Sequence, residues 1–302
     1  MHVKENIISG SQRRFYDLPD GRMSALHFGD FSEPPEIVFV NANGFNGLSY
    51  RAVLEPLGVH AIALDLRGHG MSELPTDPAA LRNWHIFRDD IVHFIERYVD
   101  APIVLAGHSF GAVSGILAAP KLGDKVKAYA GLDPVSMPWL ARQFPKLPGG
   151  RAAMKRFIPI ARNAGRRRFV FENAEAAFER YHGRGAFKSI SDQTLRDYLD
   201  GGLKPHENGV QLACHPEWEQ AIFAAQGHNM FKALGALPEN SQLIYGGKAA
   251  VSTPSIRVKV QKRLNGGTVI YRKDLHHLFP FQRPDVAIEA LQTALNLIPP
   301  TL

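Results

Sequence analysis

The stretch Ile103-Val104-Leu105-Ala106-Gly107-His108-Ser109-Phe110-Gly111-Ala112 decides how this chain is read. An apolar run leads straight into Gly-x-Ser-x-Gly, and a run of small and apolar residues leads straight out. The first half suits a strand covered on both faces, the second a helix packed closely on it. A serine between the two stands on a sharp strand-to-helix turn, in a strained backbone conformation. Glycines at 107 and 111 let strand and helix approach closely around it. The serine oxygen is then lifted out at the carboxyl end of the sheet, over a helix N-terminus that favours negative charge. Ser109 is therefore the first candidate nucleophile.

On either side, strands and helices alternate. Residues 14–18 and 22–28 flank the turn Pro19-Asp20-Gly21 and read as a hairpin. Residues 36–40, 60–66 and 126–132 are further apolar strands, with 102–106 leading into the serine. Between them, residues 84–99 place Phe87, Ile91, Phe94, Ile95 and Tyr98 at helical spacing. Residues 110–119 form a second helix. Such alternation implies an α/β architecture, a mostly parallel sheet with helices on both sides. The pattern breaks after Asp133-Pro134. Residues 136–226 contain proline, much arginine and helical pieces at 174–181 and 192–199, but no strong strands. They read as a helical insertion after the sixth strand. Strands return at 241–245 and 268–271, and a last helix spans 285–297. The expected organisation is a core of residues 1–135 and 228–302 with a helical cap of 136–227. Arg166-Arg167-Arg168 reads as a solvated face, with a role in holding an acidic ligand as the sharper alternative.

Composition sets outer bounds. Among 302 residues, 45% are hydrophobic and 21% charged, ordinary for a globular chain with a sizeable core. No run of 18 apolar residues is present, and the N-terminus lacks an apolar run with a cleavage site; neither membrane insertion nor secretion is expected. A lone cysteine, Cys214, excludes an internal disulfide and fits a reducing, cytoplasmic setting. The net charge of +6 is taken up by a solvated surface, although it also suits acidic substrates or a membrane surface. No nucleic-acid partner is expected.

These segments together resemble the α/β-hydrolase superfamily, and within it the esterase-like serine hydrolases with a helical cap. The resemblance covers nearly the whole chain. It rests on the Ser109 turn, on Asn41-Ala42-Asn43-Gly44-Phe45, on Asp65-Leu66-Arg67-Gly68-His69-Gly70-Met71-Ser72, and on His277-Leu278-Phe279-Pro280. It implies that Asp65, Arg67 and His69 are architectural. It also implies two backbone donors for a developing oxyanion: the N–H of Phe110 and the N–H of Phe45. Asn43 stands where the family commonly has histidine, and its amide can hold the loop. The base is expected after the last strand, where His276 and His277 are both candidates. The family's His-x-x-Pro pattern favours His277. Adjacent histidines without a second cluster at metal spacing do not suggest a metal site.

The acid departs from the common family pattern. An aspartate usual after the seventh strand is absent from Gly246-Gly247-Lys248-Ala249-Ala250-Val251, and Lys248 offers no acceptor. A family variant carries the acid after the sixth strand, which points to Asp133. The order Ser109, Asp133, His277 is the one this fold uses. The resemblance implies cleavage of a carboxylic ester, thioester or lactone of small to medium size, with no cofactor. Asn43 and Trp139 are candidate pocket residues and Phe144 a further candidate wall, with packing inside the cap as the equal alternative for Trp139 and Phe144. The empty acid position keeps open a ligand-binding protein, or a lyase- or transferase-like member, with little esterase turnover. A serine nucleophile speaks against epoxide hydrolases of this fold, which use aspartate.

Overall fold

The computed structural model of the chain describes residues 6–8, 10–135, 137, 142–248 and 252–296. In chain order its strands are β1 (Asn6–Ile8), β2 (Ser11–Leu18), β3 (Gly21–Phe28), β4 (Ile37–Val40), β5 (Ala61–Leu64), β6 (Ile103–His108), β7 (Val126–Leu132), β8 (Val170–Phe171), β9 (Leu203–His206), β10 (Gly209–Leu212), β11 (Gln242–Lys248) and β12 (Thr268–His276). Nine of them form one sheet in the order β1-β2-β3-β5-β4-β6-β7-β11-β12. Pairing is parallel from β5 to β12 and antiparallel from β1 through β3 onto β5. This is the α/β-hydrolase fold.

The alternation of side chains across a strand distributes the core to both faces. In β4, Val38 and Val40 enter one buried cluster, Ile37 and Phe39 the other. The first cluster is closed by the helices His85–Tyr98 and Phe110–Leu122, the second by the terminal helix Pro284–Asn296. The predicted helix over 84–99 uses the expected face: Phe87, Ile91, Phe94 and Ile95 are all buried.

Between β7 and β11 the sequence expectation needs correction. Alongside its helices this stretch holds a second sheet, β8-β10-β9, antiparallel throughout. Its strands of two to four residues are too short to carry a period in the sequence. A separate apolar cluster, including Phe171, Phe178, Leu195 and Tyr198, lies beneath it. The helix Pro216–Ala224 behaves differently: Trp218 and Ile222 are buried in the main core. Strand β12 is also longer than the predicted 268–271. It continues to His276, making that residue the end of a strand rather than part of a loop. Trp139 lies outside the described residues.

Candidate active site

Ser109 has φ 56° and ψ −116°, a backbone region that side chains rarely enter. The conformation is held from both sides. Ser109 N–H donates to Leu132 O at 2.8 Å, tying the turn to β7. A Cβ at Gly111 would come within 2.3 Å of the carbonyl oxygens of Val40 and Asn41, and one at Gly107 within 2.8 Å of Gly111. Only glycine fits either place, so the Gly-x-Ser-x-Gly spacing is a packing requirement of this crossing.

Three polar side chains meet there. Ser109 Oγ lies 2.9 Å from His277 Nε2, and His277 Nδ1 lies 2.7 Å from Asp133 Oδ2. A carboxylate only accepts, so Nδ1 carries the hydrogen and Nε2 is left to accept from the serine hydroxyl. Asp133 is 1% and the His277 side chain 20% exposed. Asp133 also has positive φ, 46°, with its N–H donating to Ile244 O at 2.7 Å. Its Oδ1 accepts from Gly246 N–H at 3.3 Å. The carboxylate is thus fixed from the β11 side while facing the imidazole. His276, the last residue of β12, is exposed, and Lys248 pairs in register with it. Among the described residues it is His277 that bonds the serine.

His108, the residue before the serine, has a role that its wildcard place in the motif conceals. It is fully buried, with Nε2 2.9 Å from His277 O and Nδ1 2.9 Å from Tyr50 Oη. Tyr50 Oη in turn accepts from Ala42 N–H at 3.0 Å. A carbonyl can only accept, so Nε2 of His108 is the donor and its Nδ1 takes the tyrosine hydrogen. One directed chain of hydrogen bonds therefore joins the loop after β4 to the backbone of His277. Burial foremost, then the charge of His277, lowers the His108 pKa to about 3, which keeps this ring neutral. Tyr50 and His108 were not legible as site residues; a histidine beside a nucleophile is the only hint the sequence offers.

The loop after β4 is pinned by its asparagines. Asn41 Nδ2 donates to Ala42 O and Phe45 O, and its Oδ1 accepts from Leu66 N–H. Asn43 is buried, with Nδ2 donating to Glu219 O at 3.0 Å and Oδ1 3.3 Å from His69 Nε2. It is therefore placed to hold the loop against the helix Pro216–Ala224. Asp65 accepts from Arg13, Ser24, Gly47 N–H and Met71 N–H, while Arg67 forks onto Asp90; both are enclosed by partners, as architectural residues are.

The two expected backbone donors differ. Phe110 opens its helix, where an N–H has no intrahelical acceptor, and its ring is buried against Trp84 and Phe87. Phe45 N–H is already engaged: it donates to Ala42 O at 3.1 Å across a turn whose third residue, Gly44, has φ 82°. Any ligand oxygen would have to share it. Above Gly44 stands a charged pair that the Arg166–Arg168 run did not predict. Arg167 Nη1 bonds Glu219 Oε2 at 2.6 Å, and Nη2 bonds Tyr198 Oη at 2.6 Å. A Cβ on Gly44 would sit 2.8 Å from Glu219 Oε1. Arg167 is therefore a partly buried, internally paired side chain, not a freely solvated one. Phe144, the other expected wall residue, is exposed at the surface.

Comparison with known proteins agrees with the architecture. The profile of the alpha/beta hydrolase family matches residues 37–290. The chain is 28% identical over 174 residues to 2-(acetamidomethylene)succinate hydrolase of Mesorhizobium japonicum, covering 55% of this chain and 56% of the relative. It is 30% identical over 132 residues to an epoxide hydrolase of Caballeronia sordidicola, covering 42% and 38%. The chain thus spans 56% of the length of the first of these curated relatives and 38% of the second. Among solved structures, E-2-(acetamidomethylene)succinate hydrolase superposes with a TM-score of 0.73 at 20% identity, covering 94% of this chain and 98% of that one. A thioesterase domain from the curacin biosynthetic pathway gives 0.74 at 17%, covering 94% and 99%. On the family match and the sheet order together, the chain belongs to the alpha/beta hydrolase family.

Proposed function

We propose that the chain is a serine hydrolase that cleaves a carboxylic ester, thioester or lactone through an acyl-enzyme. The observation that carries this reading is the unbroken contact Asp133–His277–Ser109, at 2.7 and 2.9 Å, with the serine on a strained turn. Ser109 Oγ attacks the carbonyl carbon while its proton passes to His277 Nε2. Asp133 holds the imidazole tautomer and stabilises the imidazolium. Phe110 N–H receives the developing oxyanion, and Phe45 N–H joins it as its turn hydrogen bond to Ala42 O is shared. Collapse expels the alkoxide or thiolate, which takes the proton from Nε2. Water, deprotonated by the same nitrogen, then releases the acid and restores Ser109.

Residues 136–227 act in this reading as a cap. Support comes from Asn43 and Phe45: the first bonds Glu219 O, and the second packs its ring on Tyr198 and Phe187. The epoxide hydrolase relative does not redirect the proposal, because a serine occupies the nucleophile position here. The relative named for an acetamidomethylene-succinate substrate makes an acetamide a sensible member of any substrate panel.

The test is a panel of p-nitrophenyl esters of increasing acyl length, a thioester, a lactone and an acetamide, run on the wild type and Ser109→Ala. Turnover of at least one acyl compound, lost in Ser109→Ala with the fold intact, is expected. No turnover on the panel, or equal turnover in the variant, overturns the reading in favour of a binding or non-hydrolytic role.

A further inference from the structure

The chain carries 35 Lys and Arg against 29 Asp and Glu, but the excess is not spread evenly. Residues 134–171 hold nine cations (Arg142, Lys146, Arg151, Lys155, Arg156, Arg162, Arg166, Arg167 and Arg168) and no carboxylate. The rest of the chain then has twenty-six cations against twenty-nine acids, so this one stretch makes the protein basic. Arg167 is spent internally on Glu219. Four of the others converge. Lys155 and Arg156 on the helix Gly150–Phe157, Arg162 on the helix Pro159–Ala164, and Arg166 line one cavity of about 480 Å³.

Among the described residues no carboxylate lines that cavity, and its one amide, Gln220, donates from Nε2 to Lys155 O and Ala161 O. Burial first and the neighbouring Arg151 second push the Lys155 ammonium below its usual pKa, against the opposite pull of Glu217. Beside the cations stand side chains that a merely solvated face does not need. Phe157, at the cavity wall, is 69% exposed, and Ile160, three residues on, is 52% exposed. Phe144 and Leu147, from the same stretch, are also among the exposed large apolar residues. Phe157 and Ile160 combine with Arg156, Arg162 and Arg166 as apolar anchors set among cations, the composition of an interfacial membrane contact. A soluble acidic protein would satisfy the charges but leave no reason for exposed phenylalanine and isoleucine beside them.

We infer that this face docks on an anionic lipid surface, with a lipid phosphate in the Lys155–Arg156–Arg162–Arg166 cavity and Phe157 and Ile160 entering the headgroup layer. The contact is peripheral, and it is independent of the reaction proposed above.

The experiment is sedimentation of the full chain with phosphatidylcholine vesicles, with and without one-third phosphatidylglycerol. Two variants accompany the wild type: Arg156→Gln/Arg162→Gln/Arg166→Gln and Phe157→Ser/Ile160→Ser. Circular dichroism and the thermal midpoint check that each is folded. The wild type is expected on the anionic vesicles alone, and to be released as salt rises from about 0.1 M to about 1 M. Loss of three cations at roughly five-fold each predicts about a hundredfold weaker binding. The apolar pair predicts a loss of roughly ten-fold or more. Absence of wild-type binding, equal binding to neutral vesicles, or an unaffected triple variant overturns the inference. So does an unaffected apolar pair, which would leave a purely electrostatic contact with neither Phe157 nor Ile160 entering the headgroup layer.

Discussion

The ends of β7 and β11 lie side by side in the sheet and carry opposite charges. Leu132, the last residue of β7, pairs with Ile244 and is followed by Asp133; β11 runs on to Lys248. In the common family pattern the carboxylate follows the strand equivalent to β11. Here that strand end has an exposed lysine facing the register position of His276. Adjacent strands are only about 4.8 Å apart, so a carboxylate moved one strand over still reaches an imidazole that descends from β12. The difference teaches that the histidine needs a fixed acceptor at its Nδ1, not a particular strand to supply it. What the β7 station requires instead is local: an aspartate held at positive φ, with backbone hydrogen bonds from and to β11.

The largest expected effect breaks this arrangement at the acid. Asp133→Asn keeps the shape but places an amide where an acceptor is needed, and it cannot stabilise the imidazolium. A loss in kcat on the order of a thousandfold or more is expected, measured on whichever ester of the panel turns over fastest. Near-normal turnover would release Asp133 from the site.

A smaller loss is expected where the loop after β12 is anchored. His108→Ala removes the donor to His277 O and leaves Tyr50 Oη without its acceptor, both in a buried place. Each unpaired group costs about 1–3 kcal/mol, and a slight displacement of the base costs roughly tenfold to a hundredfold in rate. His108→Gln, whose amide can donate to the same carbonyl, should recover part of kcat with KM unchanged. Equal kcat in all three proteins would remove His108 from the positioning of the base.

How much of this was legible follows from the kind of signal each region has. The strands of the main sheet announce themselves because burial on both faces demands continuous apolar runs, as in Ile37–Val40 and Ile103–His108. Ser109 was legible because two glycines must flank it where strand, turn and helix cross. The region from β8 to β10 was not, since two- to four-residue strands leave no period to read; just before it, the run Arg166–Arg168 masks the internal pairing of Arg167. The engagement of Phe45 N–H depends on a turn closed by Gly44, which the residue types permit but do not dictate. Tyr50 and His108 are paired only by the folding of distant segments.

Acid probes the neighbouring part of the sheet, where His108 ends β6 and His69 lies in the loop after β5. Burial lowers the pKa of His108 to about 3 and, against the pull of neighbouring acceptors, that of His69 to about 4. Both sit below the unfolded value of about 6.5, so the unfolded chain binds more protons between the two. Their contribution is therefore complete above about pH 6.5 and falls as pH drops through the range from 6.5 towards 4, by up to about 1.4 kcal/mol per histidine per pH unit. Urea midpoints measured from pH 7 to pH 4.5 should decline, and less steeply in His108→Gln. A midpoint independent of pH would mean that these rings are protonated in the folded protein.

The smallest expected effect sharpens the comparison from its other side. Lys248→Ala alters an exposed residue at the end of β11, and turnover should stay within about twofold of the wild type. A large loss there, with Asp133→Asn silent, would return the working residue to the β11 end.

The central claim is that Ser109 is activated by His277, and it is tested most directly by fluorophosphonate labelling read by peptide mass. One adduct per chain is predicted, on the peptide containing Ser109. The labelling rate should fall by roughly a thousandfold or more in His277→Ala and remain at the wild-type value in His276→Ala. An adduct on another residue, or a rate that falls in His276→Ala and persists in His277→Ala, would contradict it.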